Sequence, residues 1–175
     1  MARSVEHHRR PATEAEAKAL ASAIRLRILR LCLDRALTNR ELAEKLGANP
    51  ATILHHVRTL VATGFLAAQA ERRGNRGARE VPYLATGKSW TMDVEDSGVA
   101  GGGAAMLEAF REEIGLIDAD QAGLSRLGLR LTKDELEVLR ERLDELVQGL
   151  AAQPRSRKGE PYSLFVALFP DVSRP

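Results

Sequence analysis

Apolar residues recur at steps of three and four positions through the first third of the chain, which predicts amphipathic helices. The sequence predicts one helix beginning after Thr13 and others over residues 23–34, 39–46 and 50–63. Thr38 and Glu41 form a capping box at the start of the third helix, and Gly47 ends it. Asn49 caps the fourth helix. Two short helices joined by a tight glycine turn are a helix-turn-helix pattern.

Beyond Gly64 the pattern changes to short β-strands. Residues 65–70 and 81–85 are predicted strands, and residues 71–80 between them form a polar, arginine-rich tip. Pro82 lacks an N–H group, so we expect the second strand to lie at a sheet edge or a bulge. A helix-turn-helix followed by a β-hairpin predicts a winged helix over residues 14–92, preceded by a flexible basic arm over residues 1–13.

The second half of the chain has its own pattern. Residues 93–103 are acidic and then glycine-rich, which is typical of a linker. A helix is predicted over 104–116, a strand over 125–131, a long leucine-striped helix after the Thr132–Glu135 capping box, and a strand over 162–169. The fold class is therefore mainly α with small β (α+β), with residues 104–175 forming an α+β module for dimerisation or effector sensing.

Charge divides the chain in the same way. The net charge of its 175 residues is only +2, but residues 1–90 carry +8 and residues 91–175 carry −6. Such asymmetry favours a basic module that meets a polyanion. The single cysteine, Cys32, excludes an intramolecular disulfide and favours the reducing cytoplasm. No apolar run is long enough for a membrane span.

The helix over residues 50–63 has two distinct sides. At 100° per residue Ile53, Val57 and Leu60 form a buried stripe. The side away from this stripe combines small residues with hydrogen-bonding side chains, as a helix in the DNA major groove requires. The candidate base-reading residues are Ala51, Thr52, Leu54, His55, Arg58 and Thr59.

Two further groups are candidates for contacts with DNA. Arginines on a glycine-rich finger suit the minor groove, where the potential is most negative over A·T tracts. The candidate wing residues are Arg72, Arg73, Asn75, Arg76 and Arg79. The first residues of the preceding helix are candidates for contacts with the DNA backbone, namely Thr38, Asn39 and Arg40.

From residue 24 to about residue 90 the chain resembles the ArsR-type winged-helix transcription regulators. The resemblance is carried by IRLRILRLCL, LTNRELAEKLGANPATILHHVRTLVATGFL, the arginine-rich tip and YLATGKSW. The order of residues in the family's recognition helix is matched by Thr52, Ile53, His55, His56 and Val57. Leu54 stands where the family usually has a serine. MarR-like and PadR-like regulators share the architecture.

The resemblance implies a regulator that binds double-stranded DNA, and we expect a homodimeric repressor on a pseudo-palindromic operator. An adaptor that uses its winged helix to bind proteins, or a sensor regulator with an unidentified effector, are the alternatives. No catalytic motif is visible, so no enzyme activity or cofactor is expected. Adjacent histidines on a helix diverge by about 100° and cannot chelate together, so no metal site is expected either.

Overall fold

The computed structural model describes residues 9–74, 77, 79–94, 98–153 and 159–174. The chain divides into two compact units, Met1–Gly115 (unit 1) and Leu116–Pro175 (unit 2). Residues 1–8, which make up most of the predicted arm, lie outside the described residues, and so do Asn75 and Arg76 at the centre of the predicted tip.

The described residues of unit 1 include five α-helices. These are α1 (Glu14–Leu20), α2 (Ala23–Leu31), α3 (Asn39–Leu46), α4 (Pro50–Ala62) and α5 (Gly102–Ile114). The predicted caps are confirmed: Thr38 and Glu41 form a complete capping box at α3, and Asn49 Oδ1 accepts from the Ala51 N–H at α4. These side chains satisfy N–H groups that have no partner within their helices. Ile53, Val57 and Leu60 are fully buried, which confirms the predicted phase of α4.

Short strands complete the described part of unit 1. They are β1 (Arg10–Pro11), β2 (Leu37–Thr38), β3 (Leu66–Ala68), β4 (Arg72–Arg73), β5 (Arg79–Glu80), β6 (Pro82–Ala85) and β7 (Met92–Asp93). A three-stranded sheet has the order β2-β6-β3, and β4 pairs with β5. β6 is thus the central strand, and the expectation that Pro82 would confine it to an edge was wrong. Pro82 is the first residue of β6, where its missing N–H removes no bond from the body of the strand.

The N-terminal arm is partly structured. Arg10 and Pro11 pair in parallel with Met92 and Asp93, and Ala12 is buried in the core. Residues 10–13 therefore do not form the flexible arm that their composition predicted. Strand pairing and burial of Ala12 attach this segment to unit 1, and Thr13 then caps α1.

α5 also belongs to unit 1, although the sequence placed it in the C-terminal module. Its Ala105 and Ala109 are buried, and Glu112 and Glu113 form ion pairs with Arg27 and Arg30 of α2. Small residues at two successive turns let α5 lie close to its neighbours in unit 1, and the division between the units follows α5.

Unit 2 is described around one long helix, α6 (Lys133–Ala151), which begins with the predicted Thr132–Glu135 capping box. The segments 125–131 and 162–169, which were predicted to be strands, are described in full and are not strands in this structure. The alternating leucines of residues 125–131 predicted burial of one strand face, yet Leu127 is 81% exposed. In the second segment, Leu164 is 61% exposed. Without a covering layer, alternation does not establish a sheet. No described residue of unit 2 is buried.

Gly47 supplies the left-handed turn between α3 and α4, with φ of +59° and no atom within 4 Å of the position that a Cβ would take. We expect Gly47→Ala to lower the free energy of unfolding by about 1 kcal/mol, because a side chain disfavours this backbone conformation. Gly102→Ala is the matched control, since Gly102 is helical and equally uncrowded. Urea titration should show no loss of unfolding free energy in the control. Equal stability of the two variants would contradict the requirement for a left-handed residue at position 47.

His56 packs beside Arg25, with 3.5 Å between His56 Nδ1 and an Arg25 guanidinium nitrogen. Burial lowers the pKa of His56, and the charges of Arg25 and His55 lower it further. The unfolded chain therefore takes up a proton near pH 6.5, while the folded chain resists it. The contribution of neutral His56 to the free energy of unfolding should be fully present above about pH 6.5 and should fall as the pH drops below that value.

Urea unfolding at neutral and mildly acid pH checks this. We expect His56→Gln to lose less stability on acidification than the wild type. His55→Gln removes only the smallest of the three causes that lower the pKa of His56, so it should keep more of the wild-type pH dependence than His56→Gln does. An identical pH dependence in His56→Gln and the wild type would exclude this role for His56.

Candidate nucleic-acid interface

The outer face of α4 is open to solvent along its length. Ala51, Thr52, His55 and Arg58 are exposed, and Leu54 and Thr59 are half-buried. Alanine and threonine at the first turns allow a close approach, and the imidazole and guanidinium offer polar groups to base edges or phosphates. The Thr59 hydroxyl already donates to the His55 carbonyl at 3.1 Å, so it is occupied within the helix.

α3 holds the beginning of α4 through Asn39. The Asn39 side-chain amide donates to the Pro50 carbonyl at 2.9 Å, which ties the first residue of α3 to the first residue of α4. This bond bridges the turn that contains Gly47 and Asn49. Asn39 thus helps to fix the angle between the two helices, in addition to being a candidate for contact with the DNA backbone.

Thr38 cannot contact DNA in the way that the sequence predicted. Its side chain is buried, and its hydroxyl accepts from the Glu41 N–H and donates to the Glu41 carboxylate at 2.9 Å. The pairing of β2 with β6 covers this residue. Sequence reasoning missed the burial because a cap is normally at the surface. Arg40, two residues further on, is exposed as a backbone contact requires.

The arginines after β3 lie on a two-stranded ribbon, not only on a loop tip. β4 and β5 place Arg72 opposite Glu80 and Arg73 opposite Arg79. Arg72, Arg73 and Arg79 are all exposed. The ribbon lies between β3 and β6 in the chain, as the wing of a winged helix does, and it carries these three exposed cationic side chains. Asn75 and Arg76 are outside the described residues.

The ribbon is tied to α3 by an ion pair. Arg72 Nη2 lies 2.7 Å from Glu41 Oε1, while the other carboxylate oxygen of Glu41 accepts from Thr38. Partial burial opposes ionisation of Glu41, but the Thr38 and Arg72 hydrogen bonds outweigh it and lower its pKa. Arg79 also has an acidic neighbour, Glu71, at 3.6 Å. One glutamate therefore both caps α3 and positions the base of the ribbon.

Two residues near α4 were not predicted from the sequence. Lys88 Nζ donates to the Thr63 carbonyl at the end of α4 and pairs with Glu16 on α1, at 2.6 Å in both cases. In the sequence, Glu16 is simply an acidic residue in the first turn of α1. The Thr13–Glu16 capping box was a signal for the orientation of Glu16, but its pairing with Lys88 spans a sequence separation that no local pattern reveals.

The remaining candidate chemistry is modest. Cys32 is fully buried, and burial raises the pKa of its thiol to about 11, so it is protonated and unreactive at neutral pH. Within the described residues no three His, Cys, Asp or Glu side chains are grouped as metal ligands would be. No helix in that part of the chain is both long and apolar enough to cross a membrane.

Comparison with solved structures finds matches at low identity and low TM-score. HlyU of Vibrio cholerae is 24% identical over 53% of this chain and 80% of its own, with a TM-score of 0.35. The adhesin competence repressor AdcR of Streptococcus pyogenes is 19% identical over 74% and 80% of the two chains (TM-score 0.34). ZitR of Lactococcus lactis is 24% identical over 77% and 86% (TM-score 0.33). No curated protein matches the sequence.

A family model locates the similarity in the sequence itself. The model described as bacterial regulatory protein, arsR family, matches residues 22–67. This segment contains α2, α3 and α4 and reaches the first residues of β3. The matched helices, together with the ribbon that follows them, form a winged helix-turn-helix. Residues 22–67 of this chain are therefore similar to the arsR-family model, and they form the helix-turn-helix segment of a winged-helix fold.

Proposed function

We propose that the protein is a transcription regulator that binds double-stranded DNA sequence-specifically as a homodimer, most simply as a repressor. The observation that carries this proposal is the two-sided character of α4: its apolar stripe is fully buried, while Thr52, His55 and Arg58 remain exposed. The cationic ribbon is held to the preceding helix, α3, by the pairing of Arg72 with Glu41. α4 would lie in the major groove, and Arg73, Arg76 and Arg79 would contact the adjacent minor groove or backbone.

The two elements make different contributions to binding. Contacts with phosphates raise affinity for every sequence and depend on salt, whereas contacts with base edges discriminate between sequences. Two copies related by a two-fold axis would read half-sites about 10–10.5 bp apart, or a multiple of that spacing. A bound dimer would block a promoter by occupying it.

Substitutions in α4 and in the ribbon distinguish base reading from phosphate contacts. We expect Arg58→Ala or His55→Ala to change the duplex sequences enriched from a random pool, because each removes a group aimed at the bases. Arg73→Ala should keep the preference, weaken binding to all duplexes, and reduce the salt slope by about one ion. Selection with sequencing and anisotropy titrations at two salt concentrations measure both effects. An unchanged preference in both α4 variants would exclude the groove assignment.

The alternative that the winged helix is a protein-binding adaptor gives a different result in the same titrations. An adaptor would show no salt-dependent binding to duplex DNA. The exposed cationic ribbon favours DNA over this alternative. For a sensor regulator, a small molecule or ion would instead release the protein from DNA, and thermal-shift screening of small ligands and divalent metals would find it.

Unit 2 supports the homodimer. Among its described residues, none is buried, and fifteen large apolar side chains are exposed. Soluble monomers rarely leave so much apolar surface uncovered, and extensive patches mark association surfaces. Residues 116–175 carry nine Lys and Arg against ten Asp and Glu, a net charge of −1, so two copies of unit 2 would repel each other only weakly. In a homodimer, a partner chain would cover the exposed leucines of residues 125–131 and 162–169.

Charged substitutions in these segments test the homodimer. We expect the double variant Leu127→Asp with Leu164→Asp to shift the protein from dimer to monomer in light-scattering chromatography, raising the dissociation constant at least tenfold, roughly the effect of losing one central interface side chain. Gln121→Asp with Ser125→Asp, which adds the same two charges at exposed polar positions, is the control and should remain dimeric. A dimer that survives the double variant would place the interface elsewhere.

A further inference from the structure

The end of α4 is held by a lysine. Lys88 Nζ donates to the carbonyl of Thr63, the C-terminal cap residue, at 2.6 Å, and lies 5.4 Å from the centre of the buried Phe65 ring. The last carbonyls of a helix carry partial negative charge, so an ammonium group stabilises them. Gly64 leaves the helix with φ of +76°, and a Cβ there would approach Lys88 Nζ to 3.3 Å. The absence of a side chain at Gly64 therefore leaves space for the Lys88 ammonium group.

The same ammonium group is bound by a buried carboxylate. Glu16, only 6% exposed, contacts Lys88 Nζ at 2.6 Å and accepts two hydrogen bonds from Arg10 and one from the Thr13 N–H. A buried carboxylate is tolerated only when such partners satisfy its oxygens. The hydrogen bonds from Arg10, Lys88 and Thr13 hold the pKa of Glu16 far below its usual range. Glu16 is therefore a fixed anion at every physiological pH.

The residues around Lys88 add a second connection. The Thr86 hydroxyl donates to the Gly64 carbonyl at 2.8 Å and accepts from the Lys88 N–H at 3.3 Å. Thr86 directly follows β6, the strand that returns from the ribbon. The end of α4 is consequently joined both to α1, through Glu16, and to the segment that follows β6, through Thr86. Its beginning is held separately by Asn39.

We propose that Glu16 and Lys88 are positioning residues that set the orientation of α4 on DNA. This inference rests on the proposed function. A helix of 13 residues is about 20 Å long, and hydrogen bonds to base edges tolerate displacements of only about 0.5 Å. Loosening one end of α4 therefore weakens base reading more than it weakens phosphate contacts, because flexible arginine side chains can follow a small displacement. Neither residue touches DNA to produce this effect.

The test compares two duplexes and four variants of the full-length protein. The duplexes are the sequence most enriched by the wild type and a random sequence of equal length. We expect Lys88→Met and Glu16→Gln to bind the enriched duplex about tenfold more weakly, the size of effect typical of a coupled pair. Affinity for the random duplex and the salt slope should stay unchanged. Lys88→Arg, which retains the cation, should restore discrimination. Lys18→Met, which removes an exposed lysine of α1, should leave both affinities unchanged.

A different result identifies a different role. If Lys88→Met weakens both duplexes equally and lowers the salt slope by about one, Lys88 is a phosphate contact and the inference is overturned. The inference is also overturned if Lys88→Met and Glu16→Gln discriminate between the enriched and the random duplex as well as the wild type does. A wild type without sequence preference would overturn the proposed function instead.

Amide hydrogen exchange tests the positioning without DNA. We expect the amides of Thr63, Gly64 and Phe65 to exchange faster in Lys88→Met and Glu16→Gln, because both variants loosen the end of α4. The first turn of α1, which Glu16 caps, should exchange faster in Glu16→Gln alone, and α3 should not change in either variant. Exchange at wild-type rates in both variants overturns the inference whatever the DNA result.

Discussion

One carboxylate with almost no access to solvent, that of Glu16, joins parts of unit 1 that lie far apart in sequence. It caps α1, binds Arg10 of the N-terminal strand, and binds Lys88, which in turn holds the end of α4. A buried charge must be neutralised where it lies, so each partner has little freedom to move. The orientation of the candidate DNA-reading helix therefore depends on a residue of the first helix.

Capping boxes have a second role in this fold. Glu16 and Glu41 each occupy the third position of a helix and accept from the N-cap residue, and each also binds a cation from a distant segment. Glu135 in α6 caps its helix in the same way. A capping glutamate is already oriented by its helix, so it binds a distant cation with little further loss of side-chain entropy.

Local rules predicted much of unit 1. Helical periodicity gave the buried stripe of α4, and the boundaries of α3 followed from Thr38 and Gly47, because caps and apolar spacing act within a few residues. The pairing of β1 with β7, the central position of β6 and the contact of Lys88 with Glu16 depend on residues brought together only by the tertiary fold. The alternating leucines of unit 2 show the same limit, since alternation specifies a face but not the layer that covers it.

The pairing of Arg72 with Glu41 changes what the basic charge of the first ninety residues means. Arg72 and Arg79 each have a carboxylate within reach, so their charges are partly neutralised before any nucleic acid arrives. Binding to a phosphate by either arginine is then an exchange of one anion for another, and it releases fewer counterions than a free arginine would. The formal charge of this region overstates the electrostatic attraction that the protein offers to a polyanion.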